Sequence, residues 1–153
     1  MRSTVIFVAV FAVLMFSANG WTQTCGNVQA KLEAAQRLGH AVETYYRMAN
    51  AGRRDGPGEI YNTGARIDNL RAGTLKIVGA AERLAADARN ANDRDVVEGC
   101  GVLEKDVFSL KNDIDYINLM TSMDIAAYKI LGGDRQWHKV MQAYKWLRDA
   151  VGA

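Results

Sequence analysis

The chain has 153 residues, with 19 Lys and Arg against 17 Asp and Glu, so its formal net charge is only +2. Nucleic-acid-binding domains usually carry a marked excess of basic residues, and this near balance argues against that class. The length is that of one domain with its own core. Pro57 is the one proline. Such a composition favours long helices, because proline interrupts them.

Residues 1–20 have the pattern of a secretory signal peptide. Arg2 precedes an apolar run from Val5 to Phe16, and small or polar residues follow. The run is too short for a transmembrane helix, which needs about 20 apolar residues, and no later segment is apolar enough to be a span. We predict a secreted, extracellular protein whose mature domain comprises residues 21–153. A retained membrane anchor is the alternative.

The two cysteines both lie in the predicted mature part. Because the secretory route is oxidising and two cysteines allow one intramolecular pairing, we predict a disulfide between Cys25 and Cys100. Two free thiols or an intermolecular bridge are the alternatives.

Apolar residues recur at helical spacing along the first half of the mature chain. The first helix is predicted from Val28 to Ala49, ending near Gly52, and a loop containing Arg53 and Arg54 follows. The second is predicted from Glu59 to Ala88. A break or kink is possible in its middle, where Gly73 could close one helix and Thr74 could cap the next.

The second half gives two more helices. Asn92 or Asp93 can cap the third. Its predicted apolar face comprises Val97, Cys100, Leu103, Val107, Leu110, Ile114 and Ile117. The apolar register slips near Met120, which predicts a bend or an extra short helix from Ile125 to Leu131. Asp134 can cap the last helix, whose predicted inner face comprises Trp137, Val140, Met141, Tyr144, Leu147 and Val151.

Four amphipathic helices with short connections, and no strand pattern, predict an all-α fold, an up-down-up-down bundle. The first and third helices are then parallel and begin at the same pole of the bundle. Cys25 and Cys100 therefore lie at one end, where their Cα atoms can approach within about 7 Å, as a disulfide requires.

The sequence offers no catalytic or metal-binding pattern. Neither His40 nor His138 has a second ligand at the spacing of a helical zinc site, and His40 is expected at the boundary of the core. Ser109 and Ser122 lack a nucleophile elbow and a nearby histidine. The carboxylates fall among Lys and Arg on polar helix faces. We therefore predict no enzyme activity, no cofactor and no metal.

The last helix predicts a protein-binding surface. At 100° per residue Trp146 falls opposite Trp137, so one ring points outward if the other is in the core. The outward side also carries Arg135, Lys139, Gln142 and Asp149. Tryptophan among basic and polar residues is typical of a binding hot spot. Trp146 packing beneath a loop or the N-terminal tail is the alternative. Arg53 and Arg54 are a second candidate contact, or merely solubilising loop residues.

Aromatic and methionine side chains permit a second hypothesis. They could line a cavity for a small apolar ligand inside the bundle, although such residues more often fill an irregular core. The tyrosines concerned are Tyr45, Tyr46, Tyr116 and Tyr128, beside the six methionines.

A leader that ends near Ala18-Asn19-Gly20, a helical mature domain and few cysteines resemble the anophensin-type salivary proteins of blood-feeding mosquitoes. The resemblance covers the architecture of the whole chain, and no functional residue is transferred from it. It implies an inhibitor of host plasma defences, directed at the alternative complement pathway or at contact activation and kinin release. Such an inhibitor binds and blocks an extracellular protein without catalysis.

Overall fold

The computed structural model describes residues 25–53, 60–122 and 133–152. The predicted signal peptide, the loop with Arg54 and the predicted short helix from Ile125 to Leu131 lie outside these ranges. The described residues form α1 (Val28–Arg53), α2 (Ile60–Arg89), α3 (Asp93–Ser109), α4 (Lys111–Ser122) and α5 (Gly133–Val151).

These helices form an all-α bundle of four rods, with α3 and α4 as one bent rod. The start of α1 meets the end of α5, where Lys31 Nζ lies 2.9 Å from the Ala150 carbonyl oxygen. The end of α1 meets the start of α5, where the rings of Tyr45 and Trp137 lie 5.3 Å apart. These two helices are therefore antiparallel, as the bundle prediction requires.

α2 is antiparallel to the rod formed by α3 and α4 as well. The Lys76 ammonium group of α2 lies 2.7 Å from the Asp106 carboxylate of α3, and Arg66 of α2 lies 3.0 Å from Asp113 of α4. The apolar stripes of all four rods meet in one core. Its largest fully buried side chains are Tyr45, Leu38, Ile67, Leu70, Ile77, Leu84, Leu103, Ile114, Ile117, Leu147 and Val42.

The disulfide between Cys25 and Cys100 is confirmed, with 6.0 Å between the Cα atoms. Gly26 has a φ of 68°, a left-handed turn that glycine adopts without strain, between Cys25 and the first helix. The Asn27 side chain then caps α1, because its Oδ1 accepts a hydrogen bond of 3.0 Å from the backbone N–H of Ala30. The bridge therefore joins the starts of α1 and α3 at one pole.

The break considered at Gly73 is wrong, because α2 runs unbroken from Ile60 to Arg89. A Cβ atom at Gly73 would lie only 2.6 Å from Leu110 Cδ1. The glycine thus accommodates the Leu110 side chain on a continuous helix, and does not interrupt that helix.

The bend or extra short helix predicted near Met120 stays a prediction, because α4 runs through Met120 to Ser122 and residues 123–132 lie outside the described ranges. The third rod also bends at Leu110, between α3 and α4, which the sequence did not predict. Leu110 is 2% exposed at the bend, where its side chain lies over Gly73. The Ser109 hydroxyl, directly before the bend, donates to the Asp106 carbonyl oxygen, and such a side-chain bond competes with the backbone bonds of the helix.

Three boundary predictions also need correction. α1 continues through Gly52 to Arg53, and α5 begins at Gly133, so Asp134 lies inside its first turn. Asn92 occupies the cap position of α3 but makes no side-chain hydrogen bond to the helix backbone. Its side-chain amide donates to the Asp95 carboxylate instead.

The start of the predicted apolar face of α3 is shifted by one residue. Val97 is 45% exposed, and Val96 packs against the core in its place. Val96 stands two helical turns before the fully buried Leu103 and shares its side of the helix, whereas Val97 is turned about 100° away from it.

Lys31 is the buried cation at the disulfide pole, with 7% of its surface exposed. Burial lowers the pKa of its ammonium group, which donates to the last turn of α5 at Ala150. Lys31→Ala removes this bond and the packing of the side-chain stem, so we expect a loss of about 1–3 kcal/mol in the free energy of unfolding. Urea denaturation measures the loss, with exposed Lys105→Ala as control. Equal effects of both variants would refute this role.

Candidate functional site

Trp137 and Trp146 lie on opposite sides of α5, as their spacing predicts. Trp137 is 3% exposed in the core, whereas Trp146 is 45% exposed. Trp146 is therefore a surface residue of a helix whose inner side is anchored by the other tryptophan.

The Trp146 side chain is supported by the neighbouring helix α1. The guanidinium carbon of Arg37 lies 5.3 Å from the centroid of the indole ring. A cation over an aromatic face at this distance contributes about 0.5–1 kcal/mol at an exposed site. The contact restricts the orientation of the ring, while nearly half of the side chain stays accessible.

We name the surface formed by Arg37, Arg135, Lys139, Gln142 and Trp146 the Trp146 face. All five side chains are exposed. Its α5 residues extend over about 16 Å, since a helix rises 1.5 Å per residue. Three of the five residues are basic, and the carboxylates of Glu33 and Asp149 border them. The Trp146 face is thus an aromatic centre in a mainly basic surround.

A shallow open groove of about 430 Å³ adjoins this face on α1. It is lined by Glu33, Gln36, Arg37 and His40. The expectation of a boundary histidine is wrong, because His40 is exposed. Its side chain instead adds a polar group beside the Trp146 face.

The second candidate contact is not placed by the structure. Arg53 is the last residue of α1, and its side chain lies outside the described part. Arg54 falls in the range 54–59, which is not described. The two arginines therefore remain a prediction.

Within the described ranges, no three His, Cys, Asp or Glu side chains come together in a group able to hold a metal ion. Ser109 Oγ donates to the Asp106 carbonyl oxygen at 2.8 Å, a local helix bond. In the same ranges, no helix combines the length and the apolar character needed to cross a membrane.

Two features of the described residues were not predicted from the sequence. Asp106 is 6% exposed, with Oδ1 paired to Lys76 and Oδ2 unpaired among the described atoms. In the sequence, the only indication of its burial is that Asp106 lies between Leu103 and Val107, two residues of the apolar face of α3. The other feature is a groove between α4 and α5, described below.

Comparison of the chain with protein-family models, with curated proteins and with solved structures gives no significant match. The function is therefore argued from the residues of this chain.

Proposed function

We propose that this protein is a secreted, non-enzymatic binding protein that uses the Trp146 face to occupy an acidic surface on another extracellular protein. The observation that carries the proposal is a tryptophan, 45% exposed, held by Arg37 at 5.3 Å among basic side chains. Tryptophan and arginine are the residues most enriched at binding hot spots.

The support from Arg37 favours binding for an energetic reason. A partner that covers Trp146 gains the burial of a large ring, and aromatic side chains bury about 150–250 Å² each. Because Arg37 already restricts the ring, less side-chain entropy is lost on association. The Trp146 face is therefore pre-organised on two packed helices.

The charge of the Trp146 face indicates the chemistry of the partner. Arg37, Arg135 and Lys139 would accelerate encounter with an acidic surface and disfavour a basic one. The resemblance to anophensin-type salivary proteins suggests that this partner is a host plasma protein of the alternative complement pathway or of the contact and kinin system. Occupying its surface would block assembly of the host complex.

Two features support export of the protein. The leader pattern of residues 1–20 is that of a secreted protein, and the Cys25–Cys100 disulfide is typical of oxidising compartments.

The alternative function, a carrier of a small apolar ligand in the bundle interior, has less support. Of the tyrosines considered for it, Tyr45 is fully buried against Trp137. Tyr46 and Tyr116 lie beneath Arg71 and Arg66, at 4.5 Å and 5.1 Å. Tyr128 lies outside the described residues. The three described rings thus contact side chains of the bundle.

The test compares Trp146→Ala with Phe108→Ala, a variant of an aromatic residue that is 67% exposed on α3. The proteins are immobilised and exposed to fractionated plasma, and a retained component is purified for affinity measurement. We expect Trp146→Ala to weaken its binding by more than about 1 kcal/mol, about fivefold in Kd. Phe108→Ala should leave the affinity unchanged, and Trp146→Ala should lower the free energy of unfolding by no more than about 1 kcal/mol, the size of its contact with Arg37.

Three results would count against the proposal. Equal binding by both variants would remove Trp146 from the interface. A large drop in melting temperature for Trp146→Ala would make this residue structural. Copurified lipid with no retained plasma protein would favour the carrier.

A further inference from the structure

A groove of about 600 Å³ lies between α4 and α5. Two hydrogen bonds join the third rod to α5 near this groove. The Tyr144 hydroxyl donates to the Val107 carbonyl oxygen, and Trp137 Nε1 donates to Asn118 Oδ1, each with a donor–acceptor distance of 3.3 Å. The groove begins on α4 just after Leu110, and its lining on α5 runs from His138 to Asp149. We name it the α4–α5 groove.

The base of the α4–α5 groove is apolar. Ile114 and Tyr144 are 1% and 5% exposed, and Met141 is half-buried. The Tyr144 hydroxyl is engaged with Val107 and only 5% of the residue is exposed, so Tyr144 forms part of the closed floor of the groove. Burial raises the pKa of the Tyr144 phenol, as expected where the floor of the groove is poorly solvated. Met141 adds an unbranched side chain that adapts to ligands of different shape.

Charged residues surround this base. Lys111, Lys145 and Arg148 supply three cations, and Asp115 and Asp149 supply two carboxylates. Asp115 pairs with Lys111, its neighbour one turn away. Lys145 has no ion-pair partner in the part of the chain that the structure describes, so its ammonium group remains available at the edge of the apolar base.

We propose that the α4–α5 groove binds a monomeric amphipathic anion, with its apolar chain on Ile114, Met141 and Tyr144 and its anionic head beside Lys145. The groove volume lies in the range of small-molecule sites, about 300–1,000 Å³, and such sites combine an apolar lining with a few polar groups. This site goes beyond the proposed function, because its base and its cation lie outside the Trp146 face, although Gln142 and Asp149 border both surfaces.

Calorimetric titration of the disulfide-bonded protein with decanoate tests the proposal. Decanol and decyltrimethylammonium serve as the uncharged and the cationic counterparts. We expect decanoate to bind at least about fivefold more tightly than decanol, and the cation to bind least. Lys145→Glu should weaken decanoate binding at least about fivefold. Lys105→Glu, a change of an exposed lysine on α3, should leave it unchanged.

Methyl NMR of the methionines then locates the ligand. The Met141 methyl signal should shift on addition of decanoate, whereas that of Met48 on α1 should not. Equal affinity for decanol and decanoate, equal effects of Lys145→Glu and Lys105→Glu, or an unmoved Met141 signal would each overturn the proposal. Binding to vesicles of anionic phospholipid without binding to decanoate would also overturn it, in favour of a membrane surface. Trp146→Ala should not alter decanoate affinity.

Discussion

Replacing Cys25 and Cys100 together by serine is expected to lower the free energy of unfolding by about 4 kcal/mol. The bridge closes a loop of 75 residues, and in the chain-entropy model such a loop restricts the unfolded chain strongly. Because small domains are stable by only about 5–15 kcal/mol, the variant should lose a large share of its stability.

Guanidinium denaturation of the two proteins measures this loss. Hydrogen exchange shows where the stability is lost. Amides at the starts of α1 and α3 should lose protection first in the variant, because the disulfide joins these segments. The reference is the unsubstituted protein with its disulfide intact, measured at the same pH. A loss below about 1 kcal/mol would contradict the account, since the disulfide would then close a loop that other contacts already hold.

Tyr45→Ala is the second change with a large expected effect, about 3–5 kcal/mol of unfolding free energy, as for other large aromatic truncations in cores. Tyr45 is fully buried, and its ring meets Trp137 at 5.3 Å, so the variant leaves a cavity between α1 and α5. The neighbouring rods are too well packed to refill it completely.

Tyr46→Ala is the matched control. Tyr46 is half-buried, and Arg71 covers its ring at 4.5 Å. Its loss should cost about 1 kcal/mol, the size of a partly exposed cation–π contact with some apolar burial. Urea denaturation of both variants gives the comparison. If Tyr46→Ala were as damaging as Tyr45→Ala, the core would not be centred where the structure places it.

Apolar periodicity predicted the helices and the bundle, because both follow from local spacing and chain direction. It also placed Trp137 inside and Trp146 outside, since helix geometry alone relates two residues of one helix. The disulfide was predicted from the leader and the cysteine count, since two cysteines allow one intramolecular pairing. The support that Arg37 gives Trp146 was not predicted, because it depends on the register between α1 and α5.

The errors have a common physical cause. Glycine lowers helix propensity, so Gly73 suggested a break, yet Leu110 uses the space above it and α2 stays continuous. The bend at Leu110 has no glycine or proline beside it. Contacts between helices override weak local preferences, and a sequence pattern cannot show which contacts those will be. The α4–α5 groove depends on how α4 and α5 lie against each other, and the sequence pattern does not show this.

Tryptophan-selective NMR tests the central claim, that the Trp146 face is the binding surface, most directly. In protein labelled with 5-fluorotryptophan and titrated with the plasma component it retains, the Trp146 resonance should shift or broaden, while that of buried Trp137 stays unchanged. A complex that forms with the Trp146 resonance unmoved would contradict the account.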